Sequence, residues 1–191
     1  MGMPMETWPQ RHRITVDEYY RMADLGLLAP DARVELIEGR DHRHAPIGSP
    51  HGSVVDQLAH LLIPTVTDRA IVRVQGAVRL SQITEPQPDV AVLKPRTDFY
   101  RHRQPTGSDT LLLVEVSEST LRYDREVKVP LYARLGVPEV WIIDLEHDRI
   151  LFYRSRSDDE YVIQTSTERP GVTPVPGLSD VAIDLSRLLS A

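Results

Sequence analysis

The sequence contains no cysteine, which excludes disulfides, thiolate zinc sites and a cysteine nucleophile and fits a reducing compartment. Long apolar runs are also missing: none comes near the roughly 20 residues needed to cross a bilayer, and no basic-then-apolar signal pattern opens the chain. The expectation is a cytoplasmic protein without a membrane partner. Excess positive charge is absent too, the net charge being -6, and this argues against a generic nucleic-acid coat, because phosphate binding needs Lys and Arg to displace counterions. No internal repeat or low-complexity tract occurs.

What remains is ordinary globular material, 191 residues with 41% hydrophobic content, enough for one well-cored domain. Residues 1–14, with three Met, two Pro and Arg11-His12-Arg13, read as a flexible lead-in, and 15–191 as a single domain. Thr15-Val16-Asp17-Glu18 is a capping box for a helix that carries Tyr19, Tyr20, Met22 and Leu25 and ends at Gly26. Asp31 to Arg40 reads as a turn and a strand from Arg33 to Glu38, closed by Gly39 and followed by a His-rich loop with His42 and His44. Ser49-Pro50 starts a core helix bearing Val54, Val55, Leu58, Leu61 and Leu62, which Pro64 is expected to end.

Ile71 to Val74 and Ala77 to Leu80 read as two strands or one bulged strand. Short apolar strands follow at Asp89 to Leu93, Thr110 to Val116 and Val140 to Ile143, with a helix starting near Val127 and ending at Gly136. Arg149 to Tyr153 and Tyr161 to Thr165 form a hairpin-like pair, and Asp184 to Leu189 reads as a closing helical turn. This order of elements indicates an α/β sandwich, a central mixed β-sheet flanked by helices.

Asp89 and Glu115 are the anomalies. A carboxylate beside a strand of Leu and Val is costly to desolvate unless a cation pairs with it, either an Arg or Lys or a bound metal ion. Two carboxylates and a strand carbonyl would select an oxygen-loving divalent ion, Mg²⁺ or Mn²⁺. The segment from Lys94 to Arg103 holds Lys94, Arg96, Arg101 and Arg103 against one Asp98, so it reads either as a phosphate-contacting surface or as a solvated loop. His51, in the first turn of its helix, is placed to touch substrate or to satisfy local hydrogen bonds. Asp124 reads as a helix cap, Asp144 as a turn residue and Trp141 as core. Alternation alone leaves Glu35 and Glu38 equivalent as an acidic residue on the early strand.

A Pro-Asp pair alone is expected by chance roughly once in every two chains of this length and carries no weight. The ordered set does. Pro88-Asp89 on one strand and Glu115 on the next resembles the PD-(D/E)XK nuclease superfamily, the fold of type II restriction endonucleases. Val34-Glu35-Leu36-Ile37-Glu38-Gly39, Pro46 to His51, Pro88-Asp89-Val90, Val114-Glu115-Val116-Ser117, Asp124 to Lys128, Tyr132 and Gly136 to Trp141 resemble the Uma-two family of restriction endonuclease-like proteins. One departure stands out: two residues after Glu115, where many of those nucleases carry lysine, this chain has Ser117.

The resemblance implies a restriction-endonuclease-like sandwich and a metal-dependent endonuclease hydrolysing phosphodiester bonds of nucleic acid, DNA above all, as a homodimer. It makes Asp89 and Glu115 metal ligands together with the Val116 carbonyl, Lys128 the charged catalytic group supplied from the following helix, and Glu35 the N-terminal acidic residue. The rival readings are a silent nuclease-fold binding module and a metal-dependent hydrolase of a small phosphorylated substrate.

Overall fold

The computed structural model describes residues 11–29, 34–43 and 47–189. Most of the expected lead-in, the start of the early strand at 31–33, and His44 and Pro46 lie outside the described residues.

Helix α1 (Val16–Asp24) is closed at its start by the capping box: Thr15 Oγ1 accepts the Glu18 amide at 3.2 Å and Glu18 Oε2 accepts the Thr15 amide at 2.8 Å. Strand β1 (Val34–Ile37) then pairs with β2 (Arg40–Arg43), so the expected strand and loop are a hairpin. Glu38 and Gly39 both take positive φ, 51° and 77°, as a two-residue hairpin turn requires. The second strand was illegible because Arg-Asp-His-Arg has no apolar alternation.

Six strands make one mixed sheet in the order β3 (Ile71–Val74), β4 (Val90–Leu93), β5 (Thr110–Ser117), β6 (Val140–Asp144), β7 (Arg149–Ser157) and β8 (Glu160–Thr167). Only β5 and β6 run parallel. Helix α2 (Ser49–Val66) covers one face, packing Val54, Val55, Leu58 and Leu62 on Val90, Val92, Leu112 and Val114. The other face is covered by one helical segment: α3 (Leu121–Tyr123), a π turn (Asp124–Lys128) and α4 (Val129–Arg134), with Val129, Tyr132 and Ala133 against Ala91, Leu93 and Leu113. The architecture is the helix-flanked mixed sheet that the sequence pattern indicates. No helix among the described residues is long and apolar enough to cross a membrane.

Several boundaries differ from the sequence expectation. Helix α2 passes through Pro64 to Val66, and the Thr65 hydroxyl donates to the Leu61 carbonyl at 2.7 Å beside the break in the hydrogen-bond ladder. Ala77 to Leu80 forms no strand; its amides go to Pro86, Pro105 and Thr84 carbonyls. The helix after β5 begins at Leu121, and the Val129 amide reaches back five residues to the Asp124 carbonyl, a wide turn just ahead of Pro130. The tail forms a hairpin of β9 (Val172–Pro174) and β10 (Ala182–Asp184), and 185–188 is a turn. Leu185 and Leu188 are drawn into the core beside α2, which fixes that turn by packing.

Candidate active site

Alternation along β5 sends Leu112, Val114 and Val116 towards α2 and Leu113 and Glu115 towards the opposite helical layer. Glu115 therefore lies under the helix that carries Lys128 and Tyr132. Its Oε1 accepts from Lys128 Nζ at 3.3 Å and from the Tyr132 hydroxyl. Lys128 is 2% exposed and also meets Glu35 Oε2 at 3.1 Å and Asp124 Oδ1 at 3.9 Å. The hairpin of β1 and β2 brings Glu35, fully buried, to this point, where the Gln87 amide donates to Oε2 at 3.2 Å. Glu38 points away and pairs with Arg134 on the surface, which separates the two glutamates that alternation left equivalent.

Asp89 enters from the start of β4. Its Oδ2 accepts from the Val116 amide at 2.9 Å and lies 3.1 Å from His51 Nε2. Because the amide and carbonyl of a strand residue face the same side, the Val116 carbonyl is turned to the Asp89 side and away from β6. Asp124 is no helix cap: its Oδ2 accepts from Ser117 Oγ and Thr120 Oγ1, both at 2.7 Å. Ser117 thus ties the end of β5 to the turn that positions Lys128.

Three buried carboxylates, Glu35, Glu115 and Asp124, surround one ammonium, and a fourth, Asp89, lies nearby. Burial works against the charge of Lys128, but Glu115, Glu35 and Asp124 outweigh it and hold its pKa above that of ordinary lysine. Burial pushes the Glu115 carboxyl up to about 8; Lys128 opposes the rise, while Asp124, Asp89 and Glu35 add to it. Burial would raise Asp89 too, yet His51 and the Val116 amide overcome it and keep Asp89 below the usual carboxylate value. The site is therefore over-supplied with negative charge.

Whether these groups fit a divalent ion can be judged from their lone pairs. Asp89 Oδ1 receives only a long 3.5 Å contact from Gln75, and Glu115 Oε2 receives no hydrogen bond from the described residues. Among the described residues no three His, Cys, Asp or Glu side chains form a complete cage. Two carboxylates and a carbonyl suit Mg²⁺ or Mn²⁺, which are commonly held by one or two carboxylates with water and substrate phosphate completing the shell.

The basic segment is not brought to this centre. Lys94 leaves the opposite end of β4 and its amide binds the Asp109 carbonyl, a strand length of roughly 16 Å from Asp89. Arg96 is paired with Asp98 and Arg103 with Asp109, and both guanidinium groups flank the Tyr100 ring. Arg101 is exposed. Asp144 closes the turn between β6 and β7 through Arg149 at 2.7 Å, and Trp141 is fully buried core, as read from sequence. Sequence reasoning gave no role to Tyr132, and gave Asp124 that of a cap; their spacing on either side of Lys128, four residues each way, was the available signal.

No curated protein matches the chain in sequence. A crystal structure of a protein from Anabaena variabilis, described as a putative nuclease belonging to DUF820, superposes with a TM-score of 0.68 at 16% identity, covering 93% of this chain and 98% of that one. At that identity the likeness establishes a shared fold. The sequence matches the family model of Uma2, described as "Putative restriction endonuclease", over residues 16–186, which spans every element that builds the site. The chain belongs to the Uma2 family of restriction endonuclease-like proteins.

Proposed function

We propose that this protein is a metal-dependent endonuclease that hydrolyses phosphodiester bonds in DNA. The observation that carries the reading is a single buried ammonium, Lys128, fixed among Glu35, Glu115 and Asp124 beside Asp89. Membership of the Uma2 family, described as "Putative restriction endonuclease", and the fold shared with a protein described as a putative nuclease support it.

Asp89, Glu115 and the Val116 carbonyl would hold Mg²⁺ or Mn²⁺. When bound, the ion supplies Lewis-acid charge against the phosphoryl oxygens. The carboxylates around Lys128 favour its charged form, so it acts through that charge, stabilising negative charge that develops at phosphorus, and not as a base. Glu35 holds one flank of that ammonium in place and Asp124 the other. His51 orients Asp89 through its Nε2 contact. The remote cations Lys94, Arg96, Arg101 and Arg103 would meet the nucleic acid only beyond the scissile bond. Cutting both strands of a duplex calls for two such centres, and we read the working unit as a homodimer.

Titrating Mn²⁺ or Mg²⁺ into the metal-free protein by calorimetry, with Asp89→Ala and Glu115→Ala alongside, tests the metal site; binding should be lost in both. Supercoiled plasmid, single-stranded DNA and RNA incubated with the protein and either ion test the chemistry. Cleavage that disappears in Asp89→Ala and Lys128→Ala is expected. Absence of cleavage on all three substrates would overturn the assignment and leave a silent nuclease fold or a small-phosphoester hydrolase.

A further inference from the structure

Tyr123 is a side chain at this site that the chemistry above leaves unused. It is the last residue of α3, directly ahead of the wide turn that carries Asp124 and Lys128. Its ring is half-buried and lies against the His42 imidazole of β2, with centroids 5.4 Å apart and planes inclined by 38°. The hairpin that delivers Glu35 thus also braces Tyr123, since His42 is the cross-strand partner of Glu35.

The hydroxyl is in a different situation from the ring. Its oxygen is fully enclosed and has no hydrogen-bond partner among the described residues. Enclosing a hydroxyl without a partner is unfavourable, so a fold selected for stability alone would be better served by phenylalanine here. The hydroxyl sits in the field of Glu35, Lys128, Asp124 and Glu115, and burial together with the carboxylates pushes its pKa up to about 12. It therefore stays protonated and remains a donor in want of an acceptor.

The rest of the site is rich in acceptors. Glu35, Asp89, Glu115 and Asp124 supply carboxylate oxygens, and the one ammonium is already shared among three of them. A phosphodiester, in turn, presents non-bridging oxygens that only accept. A neutral O–H adds the missing complement without adding further negative charge to a crowded acidic pocket.

On the nuclease reading above, we infer that Tyr123 donates a hydrogen bond to a non-bridging oxygen of the scissile phosphodiester, a bond that tightens as charge accumulates there in the transition state. The proton stays on Tyr123 throughout. Tyr123 is then a catalytic residue by contact with the reacting group, and His42 a positioning residue that sets the plane of its ring.

The test is Tyr123→Phe, assayed with saturating Mn²⁺ on supercoiled plasmid and on bis(p-nitrophenyl) phosphate, with the thermal midpoint measured alongside. Loss of one preorganised donor to a developing oxyanion should lower kcat about 100-fold with a smaller change in KM. The factor should be similar on the two substrates, because p-nitrophenolate leaves without needing a proton and a donor to a non-bridging oxygen does not act on the leaving group. The thermal midpoint should hold or rise, since phenylalanine removes an enclosed, unpaired hydroxyl. Unchanged kcat would overturn the inference, as would a loss confined to plasmid, or a lowered midpoint with kcat intact, which marks a structural hydroxyl. Failure of the wild-type protein to cleave either substrate is a different result, and it would remove the nuclease reading itself along with this inference.

Discussion

Ser117 Oγ donates a 2.7 Å hydrogen bond to Asp124, and Asp124 stands 3.9 Å from the ammonium of Lys128. Ser117 occupies the strand position at which many of the PD-(D/E)XK nucleases carry lysine. In this chain that strand position anchors the turn from which the lysine is delivered. Lys128 reaches Glu115 from the helix, and the serine helps to hold the turn that carries it.

Replacing Ser117 by alanine should therefore uncouple the turn while sparing the carboxylates of Asp89 and Glu115. A hydrogen bond to a charged group contributes about 1.5–3 kcal/mol, and the variant should lose an amount in that range in urea denaturation. Calorimetric Mn²⁺ binding should survive while the cleavage rate falls. Loss of metal binding with an unchanged rate would contradict this division of labour.

Lys128→Met should be far more damaging to the fold, because it leaves Glu35, Glu115 and Asp124 buried without their shared cation. Removing one partner of a buried pair costs about 3–5 kcal/mol. Adding Glu115→Gln to Lys128→Met should recover part of that loss, since it removes one of the carboxylates left uncompensated. Denaturant midpoints of the two single variants and the double variant, read as a cycle, measure the coupling.

Burial, with the surrounding carboxylates, pushes the Glu115 carboxyl up to about 8 from an ordinary value of 4.5. Between those values the folded chain binds more protons than the unfolded chain, so the contribution of this group is complete below about 4.5 and is lost as pH rises through about 8. In EDTA the thermal midpoint should fall across that window, and Glu115→Gln should flatten the fall. Excess Mn²⁺ should oppose it, because a metal binds the ionised carboxylate.

Gly107→Ala tests the fold away from the chemistry. A Cβ at Gly107, in the 3₁₀ turn before β5, would overlap the Leu135 carbonyl oxygen, and backbone there has no room to yield. Overpacking of this kind costs about 1–3 kcal/mol. At roughly 2–4 °C per kcal/mol for a chain of this size, the thermal midpoint should drop by several degrees or more, with metal binding unaltered.

The central strands of the sheet were legible because they are short, mostly apolar runs bounded by Pro, Gly and polar residues, as in Val140 to Ile143. Asp89 and Glu115 were legible because a carboxylate on such a strand contradicts its surroundings. The hairpin of β1 and β2 was hidden, since its second strand is held by backbone pairing and by Glu38 at positive φ, neither of which has an apolar period. The placement of Lys94 to Arg103 was hidden for another reason: charge density in a segment says nothing about which end of the sheet it occupies. Alternation could not choose between Glu35 and Glu38, because a tight turn at Glu38 breaks the strand geometry on which alternation depends.

The wide turn at Asp124–Lys128 amounts to a phase slip in a helix. A helical segment advances about 100° per residue, so one additional residue per turn rotates everything before it relative to everything after it. Shortening the segment by one residue would restore a regular helix and swing Tyr123 and Asp124 about a quarter turn around the axis, away from the sheet, while Tyr132 and the packing of α4 stayed in place. The arrangement thus depends on chain length at one point as much as on residue identity, and a single deletion between Asp124 and Lys128 would dismantle it while keeping both of those side chains.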